Sequence, residues 1–471
     1  MRHLLLALVL ASGTTTLLAA QVVVEPSAVV VSGRSPNITI RGLQSGETVR
    51  LHALRSYGRG KVVDGKWVER NEVLHAWVDM RADGRGIVSL DSARPVAGTY
   101  TSIDGQGLLW SMRRPGDAAL QSARFGGEDR VPPGETIRLV VERKGLVVAE
   151  GLLRFVDAPG ITVEVVAEGD VNGTFAAPRT AQRAPALILL HGSEGGSDDG
   201  SRRMATLWAG LGYAAFALNY FAYDDAKVAG VPRNVHVNQP IETIEKVREW
   251  LAKRSEVDVN RLGLYGVSKG AEYAEVAAVR FPWVRAVVAC VPSDVVWEGY
   301  GFGNTRNSPP AAKPPLASSW SWNGEPLPYV ALRQSRPGVR EYFDNTERYE
   351  RSRADDPARA EAAAIPLERT RARVLLLGSG RDEVWASGQM ATRLAERLKR
   401  AGRSDQVELH VFPRAGHQIC GGGTFPTHLY GEPSTDPRVK DLVAEGEAAS
   451  QGFHLTQSFF SKHLATPAPA R

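Results

Sequence analysis

Cysteine is almost missing: Cys290 and Cys420 are the only two in 471 residues. Two cannot staple a disulfide-rich scaffold, and neither stands in a metal-ligand spacing, so a thiolate-held metal module is excluded. Cys290 closes an apolar run and reads as a small buried hydrophobe. The other reading is a single disulfide in an oxidising compartment, because Cys420 closely follows a candidate histidine. Blocks of lysine and arginine are absent too, and so is basic–aromatic interleaving. The formal charge of +5 is spread along the chain, which argues against a nucleic-acid partner. No stretch is long and apolar enough to span a bilayer.

The chain begins Met1-Arg2-His3, continues with an apolar run from Leu4 to Ala11, and reaches Ala19-Ala20 before Gln21. A basic start, a short apolar core and a small-residue end predict a secretory signal peptide over 1–20, and hence an exported, periplasmic or secreted protein. From 21 to 158 short runs alternate apolar and polar residues, as in Thr48-Val-Arg-Leu-His-Ala-Leu54, and Gly-containing turns separate them. This predicts an all-β sandwich of immunoglobulin-like size. After Asp157-Ala-Pro-Gly160 the pattern changes. Apolar runs at Ala184–Leu190, Ala214–Leu218, Leu262–Tyr265, Ala286–Ala289, Val374–Leu377 and Val407–Phe412 alternate with amphipathic helical stretches such as Ile241–Leu251 and Met390–Lys399. That alternation predicts an α/β fold over 159–464, with a mostly parallel sheet covered by helices. Residues 292–353, rich in Pro, Ser, Trp and Asn, read as an insertion or lid, and 465–471 as a flexible tail.

Chemistry concentrates at Arg261-Leu-Gly-Leu-Tyr-Gly-Val-Ser268-Lys-Gly270, which leads into an Ala- and Glu-rich helix former. Strand, sharp turn and helix with a serine at the apex is the context of a nucleophile elbow. The turn brings strand and helix so close that Gly266 and Gly270 cannot carry side chains. A serine nucleophile needs a base, an orienting acid and an oxyanion hole. Asp382, in Gly378-Ser-Gly-Arg-Asp382-Glu383, follows one apolar strand, with Glu383 as its rival; His417 follows the last strand, about 35 residues further on. Ser, then Asp, then His is the order of α/β-hydrolases, and Ser268, Asp382 and His417 are the candidate catalytic residues. His191-Gly-Ser-Glu-Gly-Gly196 follows an early strand and is the candidate oxyanion loop. Ser193 or Glu194 would donate one backbone N–H and Lys269 the other, with the Lys269 and Glu194 side chains facing solvent or forming a surface pair and His191 structural. Acyl transfer by such a set requires no metal and no cofactor.

These residues resemble one family, the acyl-CoA thioester hydrolases and bile acid-CoA:amino acid N-acyltransferases. The resemblance covers most of the chain. It rests on Asp104-Gly-Gln-Gly-Leu-Leu-Trp-Ser-Met112, the His191–Gly196 loop, Pro240-Ile-Glu-Thr-Ile-Glu245, Gly266-Val-Ser-Lys-Gly-Ala-Glu272, the Asp382–Trp385 segment and Ala415-Gly-His417. It implies an amino-terminal β-sandwich joined to an α/β-hydrolase domain, a small-molecule acyl-thioester or ester substrate, and Ser268, Asp382 and His417 as the triad. Because the amide-forming members are built around cysteine, serine implies hydrolysis. The alternatives are a carboxylesterase, amidase or acyltransferase acting on an exported substrate, and a non-catalytic binding protein. Trp297, Trp320 and Trp322 are expected to line an acyl pocket or to pack as a lid.

Overall fold

The computed structural model describes residues 23–25, 29–63, 66–114, 136–180, 183–224, 226–228, 230–301, 317–333, 344–430 and 441–465. The predicted signal peptide and all but the first residue of the predicted tail lie outside them.

Two sheets build the amino-terminal part. The larger is dominated by a hairpin, β1 (Thr48–Val63) and β2 (Lys66–Arg81), followed by β3 (Thr136–Arg143) and β4 (Leu146–Val156). The smaller pairs Val23–Glu25, Thr39–Arg41 and Val88–Ser89. Val24, Ile40 and Val88 from the small sheet share one core with Leu51, Val78 and Leu139 from the large one, which makes the pair a sandwich. The hairpin strands run well beyond the alternating segments that marked them. Antiparallel pairing continues from Thr48↔Arg81 to Val63↔Lys66.

The second sheet has eight strands: β5 (Ile161–Glu168), β6 (Val171–Pro178), β7 (Ala184–Leu190), β8 (Ala214–Leu218), β9 (Val257–Val267), β10 (Ala286–Cys290), β11 (Arg373–Ser379) and β12 (Val407–Phe412). Their spatial order is β5-β6-β8-β7-β9-β10-β11-β12, with the β5–β6 and β6–β8 pairs antiparallel and the rest parallel. All five residues of β8 and of β10 are buried, as expected of strands covered on both faces. The covering helices include α1 (Asp198–Gly210), α2 (Thr243–Ala252), α3 (Lys269–Arg280), α4 (Asp344–Asp355), α5 (Ser387–Arg400) and α6 (Leu442–His463). No described helix is long and apolar enough to cross a membrane. This is an α/β-hydrolase architecture preceded by a β-sandwich.

Trp110 joins the two parts. Its indole is fully buried, donates to Asp104 at 2.8 Å, and lies so close to α6 that a Cβ on Gly446 would stand 2.2 Å from the ring. Trp297 packs with Trp385 and Met390 in a buried cluster, and Trp320 stacks on Tyr273 of α3 at 4.3 Å between centroids. Both tryptophans are fully buried, so they belong to the hydrophobic interior, the destination that aromatic area favours energetically.

Candidate active site

Ser268 sits between β9 and α3 with φ 54° and ψ −116°, a conformation that a non-glycine residue holds only when its surroundings impose it. The surroundings are two glycines. A Cβ on Gly266 would meet the Gly270 carbonyl at 2.1 Å, and one on Gly270 would meet the Leu190 carbonyl at 2.3 Å. The Ser268 N–H donates to the Cys290 carbonyl at 2.9 Å, which ties the apex to the neighbouring strand.

The side chains of Ser268, His417 and Asp382 form one hydrogen-bonded chain. His417 Nε2 lies 3.0 Å from Ser268 Oγ, and His417 Nδ1 lies 2.8 Å from Asp382 Oδ1 and Oδ2. They are 6%, 7% and 2% exposed. Asp382 Oδ1 also accepts from the backbone N–H groups of Val384 and Trp385, and Oδ2 accepts from Ser387 Oγ. The neighbouring Glu383 accepts from the backbone N–H of His417 at 2.9 Å, so it braces the loop and does not carry the imidazole. Burial disfavours a charged imidazole here. Asp382, with Glu383 and Glu445 adding to it, outweighs that and holds the His417 pKa above the ordinary histidine value.

The loop after β7 lies against the nucleophile: a Cβ on Gly192 would stand 3.3 Å from Ser268 Cβ. Within it, Gly192 N–H donates to Glu194 Oε1, Gly195 N–H to the Gly192 carbonyl and Gly196 N–H to the Phe221 carbonyl. Among the described residues the Ser193, Glu194 and Lys269 N–H groups donate to no other group, which leaves them available to an oxyanion. His191 is buried, bonded through Nδ1 to the Gly192 carbonyl and stacked on Tyr220 at 4.1 Å. Burial lowers its pKa.

Two expectations about side chains need correction. Lys269 does not face solvent: it is buried, and its ammonium donates to the buried Glu272 at 2.7 Å. Burial pulls the Lys269 pKa down and the Glu272 pKa up, each opposed by the partner's charge. Glu272 also accepts from the Trp297 N–H and the Trp320 indole, which fastens the elbow helix to the 292–353 segment. Glu194 is exposed, and its carboxylate accepts from the Gly192 N–H. Cys290 and Cys420 form a disulfide, so Cys290 is not a lone buried hydrophobe. The sequence reading missed Tyr220 and Tyr223, whose hydroxyls donate to the His191 and Ser193 carbonyls at 2.6 and 2.8 Å. They follow β8 in Asn219-Tyr-Phe-Ala-Tyr223, where spacing carries no sign of a role in the loop.

A cavity of about 640 Å³ opens beside this loop, lined by Glu194, Asn219, Tyr223, Gln418 and Phe425 among others. Among the described residues no group of three His, Cys, Asp or Glu could hold a metal ion.

Residues 240–466 match the family model for the BAAT/acyl-CoA thioester hydrolase C-terminal region, and residues 34–168 match that for the acyl-CoA thioester hydrolase/BAAT N-terminal region. Acyl-coenzyme A thioesterase 1 of Homo sapiens is 26% identical over 474 residues, covering 95% of this chain and 97% of that protein. Mitochondrial acyl-coenzyme A thioesterase 2 of Mus musculus is 26% identical over 462 residues, covering 91% and 86%. Among solved structures, a thermostable esterase from Pseudomonas putida overlays with a TM-score of 0.39 at 15% identity, covering 66% of this chain and 86% of that one.

Proposed function

From the premise that this chain belongs to the acyl-CoA thioester hydrolase/BAAT family, we propose that it hydrolyses acyl thioesters of the acyl-CoA type through Ser268, His417 and Asp382. The observation that carries the reading is the continuous bonding from Ser268 Oγ through the imidazole to a buried carboxylate, on a backbone held in a strained turn. His417 Nε2 takes the hydroxyl proton as Ser268 Oγ attacks the thioester carbonyl. The oxyanion that forms is met by the N–H groups of Ser193 or Glu194 and Lys269, reinforced by the positive end of α3. The intermediate expels the thiolate, which receives the proton from His417. Water, deprotonated by the same imidazole, then releases the acid from Ser268. Asp382 keeps the proton on Nδ1 and stabilises the cation.

The test is release of thiol and free acid from a chain-length panel of acyl-CoAs, run beside p-nitrophenyl esters and a fluorophosphonate probe. Ser268→Ala is expected to lower the rate by roughly 10⁶-fold and to abolish labelling. Undiminished hydrolysis by that variant ends the proposal.

A second reading concerns location and hence substrate. The Cys290–Cys420 disulfide and the signal-like amino terminus both favour an oxidising, exported setting, where an ester or a thioester other than acyl-CoA would be the substrate. Cell fractionation with amino-terminal sequencing of the mature protein tests it. A full-length cytosolic product with two free thiols would sink it.

A further inference from the structure

We infer that Tyr223 is a positioning residue for the oxyanion hole, setting the aim of the Glu194 N–H through the peptide that precedes it. The inference rests on the reading that Ser268 attacks an acyl carbonyl. In a trans peptide the C=O and N–H point in opposite directions. Tyr223 Oη donates to the Ser193 carbonyl at 2.8 Å, so the Glu194 N–H at the far end of the same peptide is turned away from the tyrosine. The preceding peptide is held in the same manner. The Gly192 carbonyl lies 2.8 Å from His191 Nδ1 and accepts from Gly195 N–H, which turns the Ser193 N–H to the opposite side. Of the N–H groups from 192 to 196, only those two lack a partner among the described residues.

Tyr223 is itself held rigidly. Its side chain is buried, its carbonyl accepts from Arg233 at 2.6 Å, and Gly195, at φ +77°, lies so close that a Cβ there would stand 3.0 Å from the ring. A hydroxyl on a fixed ring is what a preorganised donor requires, because an amide free to rotate would have to be oriented at each turnover. Tyr220 anchors the start of the loop through the His191 carbonyl, and Tyr223 anchors the peptide that carries the donor.

The experiment replaces Tyr223 by Phe, which keeps the ring and removes the hydroxyl. Rates are normalised to serine titrated with a fluorophosphonate, so that misfolded protein does not count. For acyl-thioester hydrolysis by Tyr223→Phe, kcat is expected to fall about tenfold to a hundredfold with KM within about twofold. The Ki of a trifluoromethyl ketone, whose adduct with serine places an oxyanion in the hole, is expected to rise by the same factor. Incorporation of 4-aminophenylalanine at 223, which restores a donor, is expected to recover part of both losses. A purely packing role would leave Phe and 4-aminophenylalanine alike. Tyr223→Phe with unchanged kcat and unchanged ketone affinity overturns the inference while leaving the triad intact. Undiminished hydrolysis by Ser268→Ala, measured in parallel, would instead overturn the reading beneath it.

Discussion

Replacing Asp382 by Asn tests the relay where its geometry is most specific. Asp382 Oδ1 is held by the N–H groups of Val384 and Trp385, so the amide oxygen of the substituted side chain stays at that position. Its NH2 then occupies the Oδ2 place, 2.8 Å from His417 Nδ1. The oxygen kept at the Oδ1 place is equally near Nδ1, but a donor at the Oδ2 place opposes a proton on Nδ1 and favours the tautomer with the ring proton on Nε2, which leaves Ser268 facing a donor instead of a base. The charge is lost as well: opposite charges at 2.8 Å interact by ~6 kcal/mol at an effective dielectric of about 20. A rate loss of roughly 10⁴-fold corresponds to ~5.4 kcal/mol, the same order. The assay is single-turnover thiol release from an acyl-CoA across pH. The active form needs neutral His417, whose pKa stands above 6.5, so wild-type activity should rise with pH through a midpoint above that value. In Asp382→Asn burial acts without the opposing carboxylate, and the midpoint of any residual activity should fall. Stability runs the other way: the raised His417 pKa contributes stability in full below 6.5 and loses it as pH climbs through the folded value. Glu383→Gln keeps an acceptor for the His417 N–H and should change the rate by about threefold or less. If Glu383→Gln is the more damaging change, or Asp382→Asn keeps more than about a tenth of the rate, the relay is wrongly built.

Three further outcomes follow from packing. Gly266→Ala would place a methyl 2.1 Å from the Gly270 carbonyl and should cost about 3 kcal/mol or more in urea unfolding, with loss of fluorophosphonate labelling; unchanged stability would show that the elbow has room. Lys269→Met and Glu272→Leu each leave a buried charge unpaired and should cost about 3–5 kcal/mol singly, while the double variant costs less than their sum but stays below wild type because the Trp297 N–H and Trp320 indole lose their acceptor; simple additivity would refute the coupling. Reducing the Cys290–Cys420 bridge, which spans 130 residues, should remove up to ~5 kcal/mol and lower the urea midpoint. Activity should fall with it, since Cys420 is three residues past His417. A midpoint unchanged once two thiols are titratable would refute this.

What the sequence determined by itself is whatever is local or repetitive. Burial on both faces makes a strand apolar throughout, so β7, β8 and β10 could be read directly, and a strained turn between strand and helix demands Gly266 and Gly270 around Ser268. The order Ser268, Asp382, His417 likewise needs only strand ends to be counted along the chain. Only the tertiary structure could decide contacts between distant segments. Asp382 and Glu383 are adjacent and chemically alike, and what separates them is which one the loop after β11 turns toward the imidazole and which toward a backbone N–H. The pairing of Cys290 with Cys420, the burial of Lys269 against Glu272 and the hold of Tyr223 on the oxyanion loop are of the same kind. The disulfide and the Tyr223 bond join distant segments, and the Lys269–Glu272 pair, local on α3, is buried by other elements packing over it; side-chain identity leaves no periodic trace of such an approach. Trp297 and Trp320 make the point by area: a segment read as a loop from its composition is drawn into the core because its large aromatic surfaces find one.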